Sequence, residues 1–290
     1  ALADDVQVFT CDARQQCAGG LASDGHHAVL PLADPAALHQ LLELCDRKEI
    51  GLLVPTRDGE LSFLAEHAES FRAIGTHVLV PALEDLRRCQ DKRAFTLHLQ
   101  ANRLPSIPIV SARDATLPAF IRPLRGAAGA GARRIDTRAE IDALRDGDDV
   151  LVHPMIMAPE YSIDLLMHPV SRKAVQAVCR ERVQIVGGES KISRVIDHPR
   201  LAELSGQLGE AFGLVGHNTV QAFDDAERGV LFIEVNPRFG GASNLSIQAG
   251  LDSPARILAM LRDEVEPIEP RPIRFGTTMY RYSDDFIVQE

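Results

Sequence analysis

In residues 231–241, LFIEVNPRFGG, three apolar residues lead into Glu234, Val235 and Asn236. On a β-strand the two-residue side-chain period puts Glu234 and Asn236 on one face and Val235 on the other. A carboxylate and an amide oxygen side by side are hard donors that suit Mg²⁺, which is usually held by one or two protein oxygens plus substrate phosphates. Pro237 ends the strand, Arg238 offers a cation to phosphate or acyl-phosphate oxygens, and Gly240 and Gly241 let the backbone approach a ligand closely. The same letters also spell a strand entering a Pro/Gly turn with a surface Glu, so the stretch needs support from elsewhere in the chain.

That support comes from three other stretches. Residues 119–123, AFIRP, read as a strand with Arg122 near its end, and LRGAAGAG follows at 124–131. A loop of Gly and Ala can bring backbone N–H groups over phosphates without side-chain obstruction. It is neither G-x-x-x-x-G-K-[ST] nor a G-x-G-x-x-G opening a helix, since it leads into Arg133, Arg134 and Ile135, which have strand character. Residues 154–159, PMIMAP, form an apolar connector able to sandwich a flat base, with Glu160 directly after it. Residues 218–223 and 231–234 read as a hairpin that sets Gln221 beside Glu234.

The front of the chain supplies alternating strands and helices. Strands are expected at 6–10, 50–54 and 77–80, with a short apolar piece at 29–32 and a helix at 59–74. Asp34 caps a further helix with Pro35 at its first position and Leu38, Leu41, Leu42 and Cys45 on one stripe. Such alternation means a parallel sheet covered on both faces. The chain begins almost immediately before its first strand, so a doubly wound unit lacking its first βα unit is expected. Residues 84–101 read as one polar helix containing Asp91-Lys92-Arg93, and 102–111, with Pro105 and Pro108, as a linker. Thr137 and Glu140 form a capping box for a helix to about residue 145. Strands follow at 150–153, 161–166 and 173–182, then a mobile loop at 186–191 and an amphipathic helix at 199–212.

Composition narrows the function classes. With 45% hydrophobic and 25% charged residues the chain is an ordinary globular one with real cores. No apolar run reaches the ~18–20 residues of a membrane span, and no leader pattern is seen, so a cytoplasmic protein is expected. A formal charge of −10 argues against nucleic acid or an anionic membrane as partner. Five scattered cysteines form no C-x-x-C and no zinc-spaced cluster, and read as reduced packing residues. Ten histidines pair with no Ser or Cys motif, which leaves a nucleophilic triad without support. His217 reads as packing, Arg125, Arg133 and Arg134 as solvated or phosphate-steering charges, and Asp164 and Lys191 as a strand residue and a loop cation.

Taken together and in this order, FIRP with its Gly-rich loop, Pro159-Glu160-Tyr161-Ser162, Asn218-Thr-Val-Gln221 and FIEVNPRFGG resemble the ATP-grasp superfamily, and within it the carbamoyl-phosphate-synthase-like ligases. The resemblance covers nearly the whole chain. It implies α/β and α+β architecture: a pre-ATP-grasp domain at 1–90, Rossmann-like and short of its first βα unit, then a two-lobed ATP-grasp fold at 91–290. The small nucleotide lobe would occupy about 115–155 and the metal-binding lobe about 156–290. By the same resemblance Lys92 and Arg122 contact the nucleotide, Gly126, Gly129 and Gly131 belong to the phosphate-covering loop, and Glu160 binds ribose. The stretch from His153 through Met155 and Ile156 to Met157 matches the adenine hinge, where backbone groups read the base; many relatives add a Glu near Pro154. Gln221, Glu234 and Asn236 match the metal ligands, and Arg238 matches the residue that steadies the acyl-phosphate.

The function implied is an ATP- and Mg²⁺-dependent ligase, with Mn²⁺ able to replace Mg²⁺. It would activate a small-molecule carboxylate as an acyl-phosphate and join it to an amine, and it could act as a homodimer. Specificity would lie in the pre-ATP-grasp face and in loops such as 180–194. The rival from another class is a noncatalytic ATP/ADP-binding regulatory protein. A nicotinamide oxidoreductase fails on the absent G-x-G-x-x-G.

Overall fold

The computed structural model describes residues 6–125, 130–144, 149–262 and 270–288. The N-terminal part holds two short parallel ladders. β1 (Phe9–Asp12) pairs with β2 (Gly25–Ala28), and β3 (Leu52–Leu53) with β4 (His77–Val78). The parallel pairing is the expected one, but each ladder is a separate two-stranded sheet. The first strand starts three residues later than the apolar pattern suggested, and the second lies before residues 29–32. Helix Ala37–Arg47 packs Leu41 and Cys45 against Leu64, Phe71 and Val78, which is the core of this part.

Two expected helices are each broken. The first divides at His67 into Asp58–Glu66 and Ala68–Ala73, a turn that buries Phe71 completely. The second divides at Asp91 into Leu83–Gln90 and Lys92–Ala101. Asp91 has extended backbone and its carboxylate accepts from Arg93 N and Ala94 N. An aspartate at an N-cap satisfies donors that a continuous helix would otherwise cover, so the break is locally stable. It places Lys92 at the first position of a new helix.

The small lobe is a three-stranded antiparallel sheet, β6 (Arg133–Ile135), β5 (Ala119–Pro123), β7 (Val150–Pro154), in that spatial order. The large lobe is a six-stranded antiparallel sheet. Its strands are β8 (Glu160–Met167), β9 (Ala174–Val186), β10 (Glu189–Ile196), β11 (Gly216–Asp225), β12 (Gly229–Asn236) and β13 (Thr278–Tyr280), in the spatial order β12-β11-β8-β9-β10-β13. Residues 186–191, expected as a mobile loop, are a tight hairpin: Gly187 and Gly188 take positive φ and β10 starts at Glu189. One face of this sheet packs on helix Pro199–Ala211 through Ile163, Leu165, Leu204, Leu208 and Phe212. The other face is apolar at one end, around Leu166, Val178, Val195 and Leu251, and polar at the other, where the cleft opens.

Of the five cysteines, which are all free, Cys45, Cys89 and Cys179 are buried as packing residues. Cys11 is exposed and Cys17 partly so, which corrects the uniform expectation. Among the described residues no helix is long and apolar enough to cross a membrane.

Candidate functional site

A cleft of about 1050 Å³ lies between the small lobe, the polar face of the large sheet and the start of helix Asp58–Glu66. It gathers Lys92, Arg122, His153, Met155, Ile156, Glu160, Gln221, Glu234, Asn236 and Arg238. These residues span almost 150 positions of sequence and meet because β5, β7, β8, β11 and β12 all end or pass there. Gly131 lies in the turn between Ala130 and Ala132, which line the cleft. Its φ is +74°, and a Cβ would meet Pro123 Cγ at 2.9 Å, so only glycine fits. Gly126 and Gly129 lie outside the described residues.

The hairpin of β11 and β12 pairs Gln221 with Glu234 and Thr219 with Asn236, the register that the alternation implied. A bulge interrupts it: Ala222 pairs with Phe232, so Ile233 is the extra residue. Before the bulge Val230 and Phe232 face the core; after it Val235 does. Leu231 and Ile233 therefore face the cleft side, together with Ile107, Ile156, Phe223 and Ala158, as an apolar cluster beside Glu234. An apolar slot flanked by polar groups is the usual make-up of a small-molecule site, and this one suits a flat base.

Arg122 is buried. Its Nε donates to His153 Nε2 at 2.9 Å, and Nη1 donates to the carbonyl of the bulged Ile233 at 2.9 Å. Nη2 is buried without a protein partner. Because His153 Nε2 accepts, its proton is on Nδ1, which donates to Pro108 O at 2.8 Å. Burial, and then the Arg122 charge, hold the His153 pKa down at about 4, so the imidazole is neutral. His153 thus orients Arg122 with its side chain. Burial also lowers Arg122 to about 10, partly offset by Glu234. Lys92 is lowered by burial as well, with Glu234 acting the other way.

Asn236 Nδ2 donates to Glu234 Oε1 at 3.2 Å. With Gln221 the set offers one carboxylate and two amide oxygens. Among the described residues no three His, Cys, Asp or Glu side chains cluster to hold a metal. One carboxylate is too few to strip a free divalent ion, but it fits Mg²⁺ that arrives on a polyphosphate. The unpartnered Arg122 nitrogen fits the same ligand from the other side.

Glu160 forms an ion pair with Arg182 Nη1, while Arg182 Nη2 donates to Gly188 O at 2.7 Å and Nε to Ser190 Oγ at 3.1 Å. Arg238 is held by Asp58, Nε to Oδ1 at 2.7 Å and Nη2 to Oδ2 at 2.6 Å. Asp164 is fully buried, paired by Arg180 through Nε and Nη2 at 2.7 and 3.1 Å, and belongs to the scaffold. Burial alone would raise its pKa. Arg180 and His217 more than offset that and hold it well below the carboxylate range. His217 stacks on Phe239 and bonds Ser253, Ser243 and Asp164, a packing role as expected. Arg133, Arg134 and Lys191 pair with Glu140, Asp136 and Glu189 at the surface. Arg125 lines the cleft, 3.8 Å from Asp91.

Asp58 was missed in the sequence, and Arg180 and Arg182 were not singled out within the specificity segment 180–194. Asp58 reaches Arg238 from 180 positions away, which no local pattern signals. Arg180 and Arg182 could have been found, because in CRERV the two-residue period puts both on one face of a strand.

Comparisons with known proteins bear on the fold. The family model described as "ATP-grasp in the biosynthetic pathway with Ter operon" matches residues 146–284, and "PylC-like, N-terminal domain" matches 1–79. No curated protein sequence matches the chain. Among solved structures, biotin carboxylase from Campylobacter jejuni in a β-γ-ATP complex superposes with TM-score 0.73 at 15% identity, over 91% of this chain and 67% of that one. An ADP complex of N5-carboxyaminoimidazole ribonucleotide synthetase gives 0.72 at 14%, over 94% and 74%. L-amino acid ligase from Bacillus licheniformis gives 0.64 at 19%, over 88% and 67%. At these identities the likeness is one of fold.

Proposed function

Because the chain has the ATP-grasp fold and matches an ATP-grasp family model along its large lobe, we propose that it is an ATP-dependent ligase. In this reading it activates a carboxylate as an acyl-phosphate and joins it to an amine, releasing ADP and phosphate in the cytoplasm. The pre-ATP-grasp domain ends near residue 90 and the ATP-grasp domain takes the rest. The observation that carries the reading is the pairing, in one cleft, of an apolar slot with a buried, unpartnered Arg122 nitrogen beside Glu234.

The base lies between Ile156, Ile233 and their neighbours, with hinge backbone at 154–156 beside it and Glu160 toward the ribose. Arg122 and Lys92 neutralise phosphate oxygens, and Gly131 lets its turn close toward them. Gln221, Glu234 and Asn236 hold Mg²⁺ or Mn²⁺, which supplies charge neutralisation to the phosphoryl group when bound. Arg238 steadies the acyl-phosphate oxygens. The lobes exclude water, which would otherwise hydrolyse that intermediate.

The test is ADP release with Mg·ATP over a panel of carboxylates, each with and without amines. A carboxylate-dependent signal in wild type that is lost in Glu234→Gln, with thermal unfolding unchanged, is the expected result; turnover that survives in Glu234→Gln refutes the metal assignment. The Asp58–Arg238 pair favours a second reading, a noncatalytic ATP/ADP-binding protein, because it already occupies the cation that acyl-phosphate would need. Tight ADP binding with no turnover on any pair would select it.

A further inference from the structure

Arg180 does not belong to the nucleotide-binding set. It lies on β9 in the cross-strand row Glu234, Gln221, Ser162, Arg180. Strands lie about 4.8 Å apart, so three spacings put its backbone roughly 14 Å from that of Glu234. The residue lines the cleft yet is only 2% exposed. Nε and Nη2 are taken by Asp164, whereas Nη1 is buried and has no partner in the protein. The fork cannot swing away to find one. Asp164 is itself fixed by Ser243 Oγ at 2.9 Å and Thr219 Oγ1 at 3.3 Å. A rigid guanidinium with one idle nitrogen beside a polar cleft is a preorganised donor for an oxyanion.

Charge balance gives an independent reason. Eight Lys or Arg and four Asp or Glu line the cleft, in a chain whose overall charge is −10. With Asp164 counted behind Arg180 and Asp91 behind Arg125, the cleft still carries more positive than negative charge, which favours anions.

We propose that Arg180 Nη1, with Ser162 next to it across the strands, is a second anion subsite that binds a recognition carboxylate of a substrate. This rests on reading the rest of the cleft as the nucleotide site. At its distance from Glu234, the bound carboxylate is not the one being phosphorylated; it holds the substrate by a second acidic group, carried by either the acid or the amine.

The test uses the full chain saturated with Mg·ADP, with acetate as probe, followed by calorimetry and by the side-chain signals of ¹⁵N-arginine. Acetate should saturate wild type and bind Arg180→Lys about tenfold more weakly, because lysine keeps the charge against Asp164 but loses the idle fork nitrogen. Mg·ADP affinity should change less than about twofold. Equal acetate affinity in both proteins, or no saturable binding by wild type, overturns the proposal. Failure of Mg·ADP to bind overturns the nucleotide reading instead, and the acetate comparison is then read on the nucleotide-free chain. If Arg180→Lys does not fold, wild-type crystals soaked in 4-bromobenzoate decide: a carboxylate within about 3.5 Å of Nη1 supports the subsite, and bromine signal only elsewhere overturns it. Once a substrate pair is known, removing the extra carboxyl group from the acid or from the amine shows which carries it, by the KM that rises.

Discussion

Two arginines are buried in the same cleft, each with one idle nitrogen, and they are held in opposite ways. Arg180 is bound by a carboxylate, Asp164, so its charge is balanced inside the protein. Arg122 is bound by neutral groups, the His153 imidazole and the Ile233 carbonyl, and burial lowers its pKa to about 10. A buried cation that only the nearby Glu234 charge partly offsets, with no ion pair of its own, is costly until an anion arrives. The contrast separates two jobs. The less balanced arginine suits a highly charged ligand such as a nucleotide, and the balanced one keeps the sheet intact and has one nitrogen left to donate from.

The sharpest way to break this contrast is to remove the balance. Asp164→Asn should cost about 3–5 kcal/mol of stability, since it leaves Arg180 buried and unpaired. Urea unfolding at the wild-type midpoint would mean that the pair is not holding a buried charge. The next effect is a pH dependence on the Arg122 side. His153 has a folded pKa of about 4 against an ordinary 6.5, so between those values the unfolded chain binds a proton that the folded chain does not. Stability should be full above about pH 6.5 and fall as pH drops toward 4, by up to about 3 kcal/mol. Thermal scans across that range should show a shallower fall in His153→Gln; identical slopes would remove the neutral-histidine link.

Arg122→Ala should weaken Mg·ADP binding by about 1.5–3 kcal/mol, the scale of a charge-assisted hydrogen bond, which calorimetry measures directly. Affinity equal to wild type would assign the phosphates elsewhere. The smallest effect belongs to a pair that is neither fully buried nor free. Asp58→Ala should change stability by about 1 kcal/mol or less, because both partners are partly solvated. A loss of several kcal/mol in denaturant titrations would make the Arg238 pair structural rather than a contact at the cleft.

What could be read in the sequence follows from range. The phase of Glu234 and Asn236, the hairpin to Gln221 and the Thr137–Glu140 capping box rest on neighbours, and local periodicity carries them. The breaks at His67 and Asp91 were hidden because both flanking segments have helical patterns; only the need to bury Phe71 and to start a helix at Lys92 imposes them. β10 was hidden by the Gly-Gly of its own turn. The links His153 to Arg122, Asp164 to Arg180 and Asp58 to Arg238 are contacts between distant strands or helices, and residue types alone do not choose among the many arginines available.

The extra residue at Ile233 has a consequence for how such a site can change. A strictly alternating strand gives each side either Ile233 or Glu234, never both. One inserted residue shifts the phase, so the apolar slot and the carboxylate share a side while Phe232 and Val235 both stay in the core. Every substitution at 230–236 is therefore read in a frame, as in a code. Point changes alter one position, but loss of a single residue from the bulge would turn over everything on one side of it, and recognition of the base would be parted from the metal in one step.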